Sequence, residues 1–310
     1  MSRPWRIYHN IVFGGFGGLA AYLLVGSLPD LVVNDLFWEL LIGVVAGACI
    51  GGALGAVDGA LGRRWLVIVL GIIQGAAFGA VGGIIGLAIG EGLFLLTQGG
   101  FLGRAIGWGV LGAIVGTSEG IANRAPRKIS YGVIGGALGG LVGGALFEEL
   151  TELALNASGN TQLAQDLAAG VGLVLVGACI GALIALVEIV AVGAYFKIVR
   201  GKQEGKDFNL VKPTMTIGRD DGNDIPLYDA EIEKRGAAIV HSRGATVRIE
   251  SKNGRAVLLT RRKDKQPTPI LTSETLEDGD RVQLGKTVLL LRKRGKPART
   301  ADTLQKQNPR

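Results

Sequence analysis

The chain is 310 residues long, carries 33 Lys and Arg against 26 Asp and Glu for a formal net charge of +7, and has 51 glycines but only two cysteines and two histidines. That length admits two domains, and glycine stands at roughly twice its usual frequency. There is no metal-ligand spacing, nucleophile elbow or Walker loop, so the sequence points to no enzyme and to no cofactor or metal.

From about Tyr8 to Phe196 the chain is a series of long apolar runs, and from Lys197 it becomes charged. A helix crossing the ~30 Å hydrocarbon core needs roughly 20 mainly apolar residues. Six stretches qualify, at about 8–28, 36–61, 66–96, 101–123, 130–149 and 168–196, too many for a signal peptide. Arg3 and Arg6 precede the first, Arg63 and Arg64 follow the second, Arg124, Arg127 and Lys128 follow the fourth, and Lys197, Arg200 and Lys202 follow the sixth. The intervening connections carry no Lys or Arg, and Arg104 just inside the fourth span is the one base near that side. This excess predicts a multi-pass protein of the bacterial plasma membrane, with both termini and everything after the sixth span cytoplasmic.

The pentapeptide GACIG occurs at 47–51 and again at 177–181, and holds both cysteines, Cys49 and Cys179. Aligning the even-numbered spans gives Gly47, Gly51, Gly55 and Asp58, then Trp108, Gly112, Gly116 and Glu119, then Gly177, Gly181, Ala185 and Glu188. The odd-numbered spans share a G-x-x-G-G word at Gly14, Gly17 and Gly18, at Gly79, Gly82 and Gly83, and at Gly136, Gly139 and Gly140. The period predicts three helical hairpins, about 8–65, 66–128 and 129–200, forming a domain at 1–200. Small residues four apart let helix backbones approach closely, so the expected fold is a six-helix bundle with pseudo-threefold symmetry and glycine-zipper packing. The two cysteines, set in those faces, read as small packing residues rather than redox groups.

Asp58, Glu119 and Glu188 fall at equivalent places in the repeat. A charge at mid-membrane costs at least ~2.5–3.5 kcal/mol, which makes the three acids candidates for an ion or proton path. Asp58 and Glu119 lie near the cytoplasmic ends, within reach of Arg63, Arg64 and Arg124, where pairing relieves that cost. Glu188 is the deepest of the three.

Beyond the spans, short β-favouring runs (TMTIG, AAIVH, ATVRIE, AVLLT, TVLLLR) alternate with turn words (DDGND, SRG, KNG, EDGD). That pattern predicts an all-β sandwich. In order, TIGRDDGNDIPLYD, IEKRGAAI, SKNGRAVLL and LEDGDRVQLGKTVLLL resemble a forkhead-associated (FHA) domain over about 85 residues, placed at 204–295. The opening G-R, the D-I-x-L, the N-G and the closing L-x-D-G-D-x-x-x-L-G stand in family order. The polar residues 296–310 read as a disordered tail.

The resemblance implies recognition of a phosphothreonine peptide by loops at one end of the sandwich. Arg219 matches the phosphate-binding arginine, Asn253 matches the asparagine that holds the peptide backbone, and Gly218 and Gly254 serve the tight turns. Where the family shows S-x-x-H, this chain has Glu233, Lys234, Arg235 and Gly236. A carboxylate about 5 Å from a phosphate of charge about −1.5 to −2 is repelled by several kcal/mol at an effective dielectric near 20. Lys234 and Arg235 could offset that repulsion, or Glu233 could pair with Arg219 and fill the site.

The sequence thus predicts a membrane protein that displays an FHA-like domain for docking a cytoplasmic or membrane protein, with phosphothreonine dependence in question and homo-oligomerisation open. The alternative is a small channel or transporter-like bundle regulated by its FHA-like domain. The basic runs TRRKDK at 260–265 and LRKRGK at 291–296 lack the interleaved aromatics of a nucleic-acid site, so no nucleic acid is expected, and an anionic leaflet nearby accounts for them. A soluble fragment beginning at Gly201 is expected to keep the docking activity.

Overall fold

A computed structural model describes residues 3–27, 35–62, 65–96, 101–122, 125–157, 162–243, 246–252, 257–262, 264 and 266–293. It divides into two compact units, Met1–Ala191 and Val192–Arg310.

The first unit holds six helices: α1 (Arg3–Gly26), α2 (Asp35–Gly62), α3 (Trp65–Leu96), α4 (Phe101–Ala122), α5 (Pro126–Ala157) and α6 (Gln162–Ala191). Each packs on its neighbour in the chain, and α1 also packs on α6, which closes a ring. Ile50 and Leu54 of α2, Leu111 and Val115 of α4, and Val176 and Ile180 of α6 form a buried cluster. Over the described residues, five of these helices are long and apolar enough to cross a membrane. Helix α5 extends past the apolar run, because Glu, Leu and Ala in EELTELALNA are strong helix formers whatever their hydropathy.

The repeated glycine words have a common contact geometry. A Cβ on the first glycine of each G-x-x-G-G word would fall on a carbonyl oxygen of an even-numbered helix: Gly79 on Gly47, Gly136 on Gly112, and Gly14 on Gly177. The middle glycine faces the next even-numbered helix. A Cβ on Gly17 would lie 2.8 Å from the Cys49 carbonyl oxygen, and one on Gly139 would lie 2.6 Å from that of Cys179. GACIG therefore offers a cysteine carbonyl to one glycine helix and glycines to another. Both thiols are free.

The second unit is a β-sandwich of β1 (Ala194–Arg200), β2 (Asp207–Asn209), β3 (Thr214–Gly218), β4 (Ile225–Pro226), β5 (Ala238–Arg243), β6 (Thr246–Ser251), β7 (Val257–Thr260), β8 (Thr268–Ile270), β9 (Ser273–Leu276), β10 (Arg281–Leu284) and β11 (Thr287–Lys293). One sheet runs β2-β1-β11-β10-β7-β8 and the other β4-β3-β5-β6-β9. The pairing is antiparallel except between β3 and β4. Alternate residues point inward, including Phe196 and Ile198, Met215 and Ile217, Val247 and Ile249, and Leu289 and Leu291, and they form one core. At the β10–β11 turn Gly285 has φ +55°, a left-handed conformation that glycine adopts without strain.

Strand β1 corrects three expectations. The sixth apolar run does not continue as a helix to 196: α6 ends at Ala191, and Ala194–Arg200 is paired between β2 and β11. The domain limits at 200 and 204 therefore fall too late, and a fragment from Gly201 would lack a strand flanked on both sides. The cause lies in AYFKIVR, whose buried residues alternate, a period that averaged hydropathy merges with the preceding helix.

Candidate functional site

At one end of the sandwich, Gly218 closes β3, residues 219–224 turn into β4, and residues 227–237 loop over to β5. Backbone bonds tie the two segments: Arg219 N donates to Glu233 O at 2.8 Å, and Asp220 N to Lys234 O at 2.8 Å. Asn223, only 5% exposed, completes the tie. Its Nδ2 donates to the carbonyls of Asp220 (2.7 Å) and Lys234 (2.8 Å), and its Oδ1 accepts from Gly236 N at 3.0 Å. A Cβ on Gly218 would lie 2.7–2.8 Å from the Asn223 side-chain atoms, so this glycine makes room for the asparagine.

This tie brings Gly218, Arg219, Glu233, Lys234 and Arg235 into one loop cluster. Arg219 is half-buried, and at the surface its Nη1 donates to Ala230 O at 3.2 Å. Arg235 is 83% exposed and lies 3.5 Å from the Asp220 carboxylate, and Lys234 beside it is exposed as well. Glu233 is half-buried and borders a cleft with Glu231, Ile232, Ala237, Lys252, Val257, Leu284 and Gly285. Gly236 has φ +59°, which a side chain would strain. Asn253 and Gly254 lie outside the described residues.

A second tie anchors the 227–237 loop to the β10–β11 turn. Asp229, 8% exposed, accepts hydrogen bonds from Lys286 N (2.7 Å), Thr287 Oγ1 (3.1 Å) and Glu231 N (3.1 Å). Burial by itself would push its carboxyl up, but these bonds and the Lys286 charge outweigh burial and hold it below the usual carboxylate range. Sequence reasoning passed over Asn223 and Asp229 as ordinary turn residues. Their only signal was the position of each beside a β-run in the family pattern.

In the helical unit the acids of the repeat meet bases from other helices. Arg6 Nη2 of α1 lies 2.9 Å from Asp58 Oδ1 of α2 and 3.1 Å from Glu188 Oε2 of α6, and Lys128 Nζ of α5 lies 2.7 Å from Asp58 Oδ2. Glu188 and Lys128 are 4% and 7% exposed. Among the described residues Asp58 pairs with Arg6 and Lys128. Arg63, Arg64 and Arg124 lie outside the described residues, as does the Glu119 side chain. Arg6 and Lys128 each stand eight residues ahead of their G-x-x-G-G word, where α3 has Gly71. Near the other ends of the helices, Arg104 meets Glu148 at 3.6 Å and covers the Phe94 ring.

Residues 197–295 match a family model, Yop-YscD, described as the inner membrane component of T3SS, cytoplasmic domain. Three solved structures are similar over the same region. The FHA domain of an Arabidopsis thaliana hypothetical protein is 27% identical, covering 34% of this chain and 89% of that one with a TM-score of 0.29. The FHA domain of CT664 from Chlamydia trachomatis is 24% identical, covering 33% and 99% with a TM-score of 0.28. The FhaA FHA domain, solved in complex with the intracellular domain of Rv3910, is 18% identical, covering 32% and 99% with a TM-score of 0.27. The sandwich resembles an FHA domain. This FHA-like domain spans about a third of the chain, and no curated protein matches the chain.

Proposed function

We propose that the protein is anchored in a plasma membrane by its helical unit and holds its FHA-like domain in the cytoplasm as a docking module for a protein partner, without ordinary phosphothreonine recognition. The family description, an inner-membrane component with a cytoplasmic domain, supports the placement. So do the apolar helices. The loop cluster fixed by Asn223 carries the docking role: it presents Arg219, Lys234 and Arg235 on a rigid frame while Glu233 occupies the place of the phosphate-contacting serine. That carboxylate opposes a phosphate by several kcal/mol. The glycine contacts that recur at three places around the ring support a bundle of repeated hairpins, and the pairing of Asp58 and Glu188 with Arg6 favours a packing role for these acids over an ion path.

Calorimetric titration of Val192–Arg310 with a degenerate phosphothreonine peptide pool and its unphosphorylated twin tests the docking mode. No preference for phosphate is expected in the native sequence, and Glu233→Ser should create one. Phosphate-selective binding that Arg219→Ala abolishes would overturn the reading.

A further inference from the structure

The outward face of the six-stranded sheet carries a concentration of bases that the loop cluster does not use. The register aligns Lys197 of β1, Leu290 of β11, Arg281 of β10 and Thr260 of β7 in one row. Tyr195 pairs with Arg292 in the row on one side, and Arg200 pairs with Val288 on the other. Lys197, Arg200, Arg281 and Arg292 are all exposed. At roughly 4.8 Å between strands, the four bases sit within a patch about 15 Å across, over half-buried Tyr195, Val288, Leu290 and Leu258. Asp207, paired with Lys197 from the edge strand β2, is the acid in these rows.

The described bases Arg261, Arg262 and Lys293 stand toward one end of this face. Thr260 and Arg281 are partners, so Arg261 and Arg262 follow β7 where β10 begins. Ala194 pairs with Lys293, so β11 ends where β1 begins. Arg262 is exposed there and lies over Gly279. The acids at that end are Glu277, Asp278 and buried Asp280 in the β9–β10 turn and exposed Asp264 beyond β7; Asp278 accepts from Lys293 N at 2.8 Å and Asp280 from Arg262 N at 3.3 Å. At this end the chain also enters the sandwich, two residues after α6.

We infer that the outward face of the six-stranded sheet is an interaction surface for anionic lipid headgroups. The chemistry fits that partner: long cationic side chains whose stems cover apolar residues reach phosphates without needing an aromatic stack or a shaped pocket. The short tether keeps the face at high effective concentration near a bilayer, so weak individual contacts suffice. The inference rests on the membrane reading of the helices.

The test uses the full chain in lipid nanodiscs, either zwitterionic or containing phosphatidylglycerol, with arginine-selective dicarbonyl labelling read by mass spectrometry. Labelling of Arg281, Arg292 and Arg262 should slow about fivefold in the anionic discs and recover at about 0.5 M NaCl, where surface charge is screened. Arg235, in the loop cluster at the opposite end, should be unaffected. The Arg281→Glu/Arg292→Glu variant, altered only at exposed positions, should unfold at the native temperature while Arg262 loses its protection. Equal labelling in both discs, equal slowing at Arg235, or stronger protection by duplex DNA or by an acidic protein in zwitterionic discs would overturn the inference while leaving the membrane reading intact. Failure of the chain to enter discs would overturn both.

Discussion

Asn223 uses both polar atoms of its side chain to hold two loops in register, and its burial makes each bond costly to lose. Asn223→Ala should destabilise the FHA-like domain by about 2 kcal/mol, read as a lower denaturant midpoint, and should loosen the loop that carries Glu233, Lys234 and Arg235. Gly218→Ala should do the same through the clash of its Cβ with Asn223. Asp229 adds a pH dependence. Its folded pKa is depressed, so its contribution is complete above the unfolded value of about 3.9 and is lost as pH falls through the lower folded value. Acid titration of stability should therefore show a steeper fall below about pH 4 in the native domain than in Asp229→Asn. Arg219 and the 233–236 segment were legible because motif order marks them. Asn223 was not, because an asparagine in a turn looks the same whether the neighbouring loop covers it or water does.

Among the elements, β1 is the strand that sequence patterning merged with a helix. It lies between β2 and β11 and contributes Phe196 and Ile198, both fully buried. A fragment from Gly201 loses these side chains, at roughly 3–5 kcal/mol for an aromatic core residue alone, and exposes the edge of β11. Calorimetry should show cooperative unfolding for Val192–Arg310 and none for the fragment from Gly201. The helices were legible from length and apolar composition, and the glycine faces from their four-residue spacing. What spacing left open was the direction of each glycine. A periodic face does not say which neighbour it meets, whereas the carbonyl contacts assign the outer glycines of each word to one helix and the middle glycine to another.

For the molecule as a whole, the Arg6–Asp58–Lys128–Glu188 cluster ties helices from the beginning and the end of the helical unit. Its partners could not be read from sequence proximity, because antiparallel packing brings the starts of α1 and α5 to the ends of α2 and α6. Arg6→Met removes the guanidinium that faces both Asp58 and buried Glu188 and should destabilise the unit by about 3 kcal/mol, measured as a drop in thermal midpoint in detergent. Arg6→Met combined with Glu188→Leu should recover part of the loss. If the acids instead form a path, the double variant would abolish ion flux in liposomes without restoring stability.

The contact of α1 with α6 repeats the glycine-to-carbonyl geometry that joins α2 to α3 and α4 to α5. The chain thus has a junction between its first and last helices of the kind it uses internally, and the covalent break between them is arbitrary as far as packing is concerned. A gene permuted to begin at α3, with α6 joined by a short linker to α1 and the FHA-like domain following α2, should encode the same ring.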